Sequence, residues 1–135
     1  MQDAVWELDA LPALCALYAN RSEDADTRLK ALGGAAALVQ GNATRELAFL
    51  HGGGLAALRA DAQLGEPRLR ARALFALAQL LRSNAALRAA ALRVEEDAEG
   101  RGKGIIPELA ACLALPDPRA VEYAISALLA ALQDA

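Results

Sequence analysis

The chain has 135 residues, a net charge of −3, a pI near 5.1, and is 56% hydrophobic and 23% charged, which excludes intrinsic disorder and fits one domain. Alanine occurs 35 times and leucine 25 times, against nine valine, isoleucine and threonine residues together, so the expected fold is all-helical, without a sheet. The acidic balance excludes a global positive field for nucleic acid. No uncharged apolar run reaches the roughly 20 residues of a membrane span, and Met1-Gln2-Asp3-Ala4 does not read as a signal peptide.

Val5, Trp6 and Leu8 open the chain and either cover an open edge of the core or, in the favoured reading, adjoin further parts of a longer protein. Leu11 and Leu14 form the i, i+3 pair of a first helix that carries Cys15. A long helix is predicted over about residues 26–40, and a short one over about 43–51 with Asn42 as its cap. Gly52-Gly53-Gly54 separates that helix from another over about 55–63, where Leu55 and Leu58 repeat the i, i+3 pair. Gly65-Glu66-Pro67 introduces a long helix over about 68–82, with proline preset for the first turn. Asn84 caps the next helix, and a polar, glycine-bearing insertion fills 94–104. Ile106 and Leu109 give a third i, i+3 pair, and Pro116-Asp117-Pro118 leads into a last long helix over about 118–134.

These elements repeat. Arg28-Leu29-Lys30-Ala31-Leu32, running on to Gln40-Gly41-Asn42, returns 42 positions later as Arg70-Ala71-Arg72-Ala73-Leu74, running on to Arg82-Ser83-Asn84. The shift carries Leu38 onto Leu80, Val39 onto Leu81 and Leu50 onto Leu92. Ala73-Leu74 and Ala76-Leu77 return 51 positions later as Ala124-Ile125 and Ala127-Leu128, the extra nine lying in the 94–104 insertion. A period of about 40–47 residues is that of armadillo and HEAT arrays. The expected fold is a right-handed α-solenoid of about three armadillo-like repeats, about 4–40, 42–82 and 84–134, in a single domain spanning 1–135. Each long helix is the third of its repeat. Leu69, Ala73, Ala76, Leu77 and Leu80 form a buried stripe, Leu32, Leu74 and Ile125 share one apolar seam, and alanines such as Ala31, Ala73 and Ala124 let helix axes approach. About two and a half repeats without polar caps read as a piece of a longer protein.

Chemistry-bearing residues are sparse. His51 is the only histidine, with no carboxylate or cysteine at ligand spacing, and reads as a polar residue at a helix end. The three glycines lack the strand and signature residues of a phosphate loop and read as a turn between helices. Cys15 and Cys112 read as buried free thiols. The mixed-charge run from Glu95 to Lys103 reads as a solvated loop. Asn20-Arg21-Ser22 and Asn42-Ala43-Thr44 are glycosylation sequons, weak pointers to a lumenal setting, and Asn42 also has its capping role. No enzyme activity, metal or cofactor is expected.

The outward face of the third helices is the expected binding surface, on the concave side of the stack. Its residues are Arg68, Arg72, Phe75 and Gln79 in the second copy, matched by Asp26, Lys30, Gly33 and Ala37 in the first and by Arg119, Tyr123, Ser126 and Ala130 in the third. An aromatic flanked by arginines has the character of an interface anchor, although Phe75 reads equally as core. The expected contact residues are Lys30, Arg68, Arg72, Phe75, Gln79, Arg119 and Tyr123.

The run Arg72-Ala73-Leu74-Phe75-Ala76-Leu77-Ala78-Gln79-Leu80-Leu81-Arg82-Ser83-Asn84 resembles a repeat of the armadillo-type nucleotide exchange factors of DnaK-type heat-shock chaperones. Arg45-Glu46-Leu47-Ala48-Phe49-Leu50-His51-Gly52-Gly53-Gly54-Leu55 is similar to the family's alanine- or glutamine-rich helix that ends in F-L-x-x-G-G-L. Gly104-Ile105-Ile106-Pro107-Glu108-Leu109, with Leu113-Ala114-Leu115-Pro116, is similar to the C-terminal repeat of the endoplasmic-reticulum branch, which serves the chaperone BiP. The resemblance covers about Leu11–Leu132 and implies a co-chaperone whose concave face wraps one lobe of the ATPase domain, favours its open state and promotes ADP release. It implies no membrane insertion, nucleic acid or small-molecule substrate, and a location in the endoplasmic-reticulum lumen, the alternative being cytoplasmic. Two departures stand against the family pattern: fewer repeats than usual, and no leader or N-terminal region. The alternative function is an armadillo-type adaptor or scaffold that binds a peptide or protein on its concave face. The Trp and Asn ladder of that class is replaced here by Phe75 and Gln79, Gly33 and Ala37, and Ser126 and Ala130.

Overall fold

The computed structural model describes residues 2–93, 95–96 and 102–133, with side chains over 10–93 and 102–133. It is predominantly helical: α1 (Gln2–Ala19), α2 (Ala25–Val39), α3 (Ala43–Phe49), α4 (Leu55–Leu64), α5 (Pro67–Ser83), α6 (Ala85–Ala91), α7 (Ile105–Ala111) and α8 (Pro118–Ala131). Contacts divide the chain into two compact units, residues 1–58 and 59–135. No described helix is long and apolar enough to cross a membrane.

In the first unit α1 packs on α2. Leu11, Cys15 and Tyr18, spaced four and three apart, are the buried stripe of α1. Arg28, Ala31, Leu32, Ala35 and Val39 are that of α2. The two helices close in at Gly34, where a Cβ atom would stand 3.2 Å from a methyl of Leu14. The buried Arg28 anchors the corner: its Nε donates to the Tyr18 carbonyl at 2.8 Å, and its guanidinium lies over the Tyr18 ring at 5.2 Å from the centroid. A cation on the last carbonyls of a helix is favourably placed against the helix dipole.

Between α3 and α4 the chain turns through Leu50–Gly54, so α3 ends at Phe49, short of the expected position 51. Gly53 has a φ of +96°, and a Cβ on Gly54 would lie 2.5 Å from the Phe49 carbonyl oxygen and 2.6 Å from its ring. The glycines are therefore required by the turn between helices.

In the second unit α5 is buried along most of its circumference, through Leu69, Ala73, Leu74, Ala76, Leu77, Ala78, Leu80 and Leu81. The expected stripe is present and extends further. Its main neighbour is α8, which buries Ala120, Ala124, Ala127, Ala130 and Ala131. Small side chains let the two axes approach. On the other side α4 is tied to α7: Arg59 pairs with Glu108, Gln63 Nε2 donates to the Glu108 carbonyl at 2.9 Å, and the Cys112 thiol lies 3.4 Å from the Ala62 carbonyl oxygen.

The helix starts carry the repeat most clearly. Asp24, Glu66 and Asp117 each accept a bond from a backbone N–H of the following first turn, at Thr27, Leu69 and Arg119. They are separated by the same 42 and 51 positions as the sequence repeat. Asn42 and Asn84 cap α3 and α6 as expected, each accepting at 2.9 Å from the residue three places on. An arginine then reaches back to the helix before it: Arg45 to the Leu38 carbonyl at 3.2 Å, and Arg88 to the Leu81 carbonyl at 2.9 Å.

Three further expectations are corrected. The 94–104 insertion contains a two-stranded antiparallel ladder, β1 (Glu95–Glu96) with β2 (Gly102–Lys103), in which Glu95 opposes Lys103 and Glu96 opposes Gly102. The segment has no apolar helical stripe, and its converging ends satisfy backbone groups on each other. Residues 97–101 and the side chains of Val5, Trp6 and Leu8, with the edge-covering role expected of them, lie outside the described residues. Second, Leu32 and Leu74 are fully buried, each within its own unit, but Ile125 is 45% exposed and is not part of a buried seam. Ile125 lies away from the alanine face with which α8 is buried, in line with Leu129 and Leu132, which are also exposed. Third, α8 ends at Ala131, three residues short of position 134.

Candidate protein-binding face

The outward sides of α5 and α8 meet. Glu66 caps α5 and Pro67 occupies its first turn, which fixes the phase that turns Arg68, Arg72, Phe75 and Gln79 outward. On α8 the Asp117 cap and Pro118 do the same for Arg119 and Tyr123. The Phe75 and Tyr123 rings meet edge to face, 5.3 Å between centroids and 70° between planes. The Arg72 guanidinium lies 5.3 Å from the Phe75 ring centroid. Further along, Arg82 Nη2 donates to the Ser126 hydroxyl at 2.7 Å. Contacts advance in the same direction on both helices, so α5 and α8 run parallel here.

Arg68, Gln79 and Arg119 are exposed, while Arg72, Phe75, Tyr123 and Ser126 are half-buried. Phe75 is thus neither plain core nor a free surface ring: it is half-buried, packed against Tyr123, with the Arg72 guanidinium over it. Arg68 lies 3.5 Å from Glu66. Ala130, expected on the outward face, is buried at 4% exposure, because the phase of α8 turns it toward its neighbours. Lys30 is exposed on α2 in the first unit, with Asp26 exposed one turn before it. The structure therefore brings Arg72, Phe75 and Tyr123 into contact within the second unit, with Arg68 and Gln79 on the same face of α5 and Arg119 one turn before Tyr123.

The remaining candidates take structural positions. His51 is exposed in the Leu50–Gly54 turn, and among the described residues no three His, Cys, Asp or Glu side chains could hold a metal ion. Cys15 and Cys112 are buried free thiols, and burial pushes both thiol pKa values up. Asn20 is exposed and its Oδ1 accepts from the Ser22 N–H at 3.0 Å, whereas the half-buried Asn42 spends its Oδ1 on the α3 cap.

Sequence reasoning missed the Arg82–Ser126 bond and the buried charges of Arg28, Glu46 and Asp61. Arg82 follows Phe75 by seven residues, two helical turns, and that spacing was the available signal. The α5–α8 face offers guanidiniums, aromatic rings, an amide and a hydroxyl, which is the chemistry of recognition.

No known protein family matches the chain, and neither does any curated protein or solved structure.

Proposed function

We propose that the chain is a nucleotide exchange factor, a co-chaperone that docks on the ATPase domain of a DnaK-type chaperone such as BiP and promotes ADP release. One observation carries the reading. The residues that helical spacing sets on the outward face of the third helices, Arg72, Phe75 and Tyr123, form one cluster on α5 and α8. An aromatic pair held by packing and flanked by a cation loses little freedom on binding, as an interface anchor requires. The recurrence of helix caps at the repeat spacing supports the finer architectural reading, armadillo-like repeats in a right-handed stack. The two sequons support a location in the endoplasmic-reticulum lumen.

Mechanistically, the protein performs no bond chemistry. It accelerates release by binding the open, nucleotide-poor arrangement of the ATPase domain more tightly than the closed one, and only that difference in affinity moves the equilibrium. The test is release of a fluorescent ADP analogue from a purified lumenal DnaK-type chaperone, with and without the chain. Faster release, reversed by competing ATPase domain without nucleotide, supports the reading. An unchanged rate at saturating concentration, together with no complex by light scattering, overturns it.

A further inference from the structure

Most described arginines of the second unit have a protein partner, among them Arg68 at Glu66 and Arg70 at the Gln63 carbonyl. Arg59 is paired with Glu108, Arg82 donates to Ser126, and Arg88 donates to the carbonyls of Leu81 and Arg82. Arg72 and Arg119, like Arg93 beyond α6, differ: among the described residues no carboxylate or hydrogen-bond acceptor holds these guanidiniums, and Arg72 is steadied only by the face of Phe75. A guanidinium over a ring keeps its planar fork of N–H donors available at its edge, the geometry that takes a carboxylate with two bonds. Arg72 precedes Phe75 by one helical turn on α5, and Arg119 precedes Tyr123 by one turn on α8. The rings touch and the helices run parallel, so the backbone positions of both cations lie one turn ahead of one aromatic pair.

We infer that this cluster is a receptor for an acidic segment of a partner protein, with carboxylates bound by Arg72 and Arg119 and an apolar side chain set against the outer side of the Phe75–Tyr123 pair. The inference rests on the reading of the α5–α8 face as the docking surface and adds the chemistry of what docks there. Charge complementarity selects the occupant: neither guanidinium is bonded to a carboxylate, although Asp117 and Glu122 flank Arg119 in sequence, so their N–H donors are open to the carboxylates of a partner. Two guanidinium forks match the planar carboxylates of a short acidic stretch, one pair of bonds each, and give no repeated contacts along a long polyanion such as RNA.

The experiment uses the full chain and a fluorescein-labelled 12-residue Gly/Ser peptide with a central leucine flanked by a glutamate on each side, read by anisotropy at 50 and 500 mM NaCl. Controls are the same peptide with lysine for each acid, and a labelled 12-nucleotide oligouridylate. Saturable binding of the acidic peptide is expected, weakened at least tenfold by high salt and at least tenfold in the double variant R72Q/R119Q. Circular dichroism of the double variant is expected to match wild type, since neither guanidinium is hydrogen-bonded to a protein group and Arg72 only rests on the Phe75 face. The inference is overturned if the double variant binds the peptide as well as wild type does, or if the oligouridylate binds as tightly as the peptide. Parallel binding of a chaperone ATPase domain separates the two proposals. If that domain binds equally well to wild type and to R72Q/R119Q, the acidic-segment inference is overturned and the exchange-factor reading stands. If the acidic peptide binds and the ATPase domain does not, the exchange-factor reading is overturned and the receptor stands.

Discussion

Arg59 and Glu108, 49 positions apart, meet through two parallel bonds, Nε to Oε1 at 2.8 Å and Nη2 to Oε2 at 2.6 Å. The pair fastens α4 to α7, and its hydrogen bonds hold the Arg59 guanidinium above its ordinary pKa. Its side chains are 36% and 28% exposed, so solvent screens part of the attraction. Glu108→Gln is expected to lower stability by about 1 kcal/mol, measured by urea unfolding, and the loss shrinks in 1 M NaCl.

Leu74 and Ile125 correspond under the 51-residue shift but differ in burial, 0% against 45% exposed. Leu74→Ala is expected to cost about 2–5 kcal/mol, since it empties a packed site. Ile125→Ala is expected to cost less than about 1 kcal/mol, because that side chain already meets water. Equal losses in paired unfolding curves would contradict the burial assigned to these positions.

Gly54 has no room for a side chain against Phe49. Gly54→Ala is expected to destabilise the protein by about 1–3 kcal/mol through overpacking. Gly53→Ala is expected to cost about 1 kcal/mol, from its positive φ alone. His51→Ala, in the same turn, is expected to leave the thermal midpoint unchanged.

The Asp24 carboxylate is held below its ordinary pKa, chiefly by the hydrogen bond from the Thr27 N–H. A folded-state value below the unfolded one means a contribution that is fully present above roughly pH 4 and is lost as pH falls through the folded value. The stability difference between wild type and Asp24→Ala is therefore expected to be constant from pH 8 to 5 and to narrow below pH 4. Unfolding midpoints at pH 7 and pH 3 test this.

Both cysteines are buried and their thiols shifted upward, so little thiolate is present at neutral pH. A colorimetric disulfide reagent is expected to label neither thiol in the folded protein within minutes, and both at once in 6 M guanidinium.

Much of the helical frame was legible in the residues. Asn42 and Asn84 were recognisable caps, prolines 67 and 118 marked helix starts, and the stripe from Leu69 to Leu80 followed the helical period. These signals are local, each confined to a turn or two. What was not legible depends on partners distant in sequence. The outward phase of Arg72 and Phe75 could be read, but the meeting of Phe75 with Tyr123 is set by how α5 packs on α8. Ile125 matched Leu74 in sequence, yet burial depends on what lies opposite, and a repeat shift carries no information about that. Glu66 and Asp117 passed as mere neighbours of prolines, because proline dominates the pattern there and hides the cap beside it.

The ladder that sets Glu95 against Lys103 has a consequence for how the chain tolerates change. It draws the strand ends together at a fixed neck between α6 and α7, so the entropy of closing the connection is governed there. Lengthening the chain beyond that neck enters stability only logarithmically, about 0.6 kcal/mol for each doubling. A natural or engineered extension placed there leaves the helices on either side under the same geometric constraint as before.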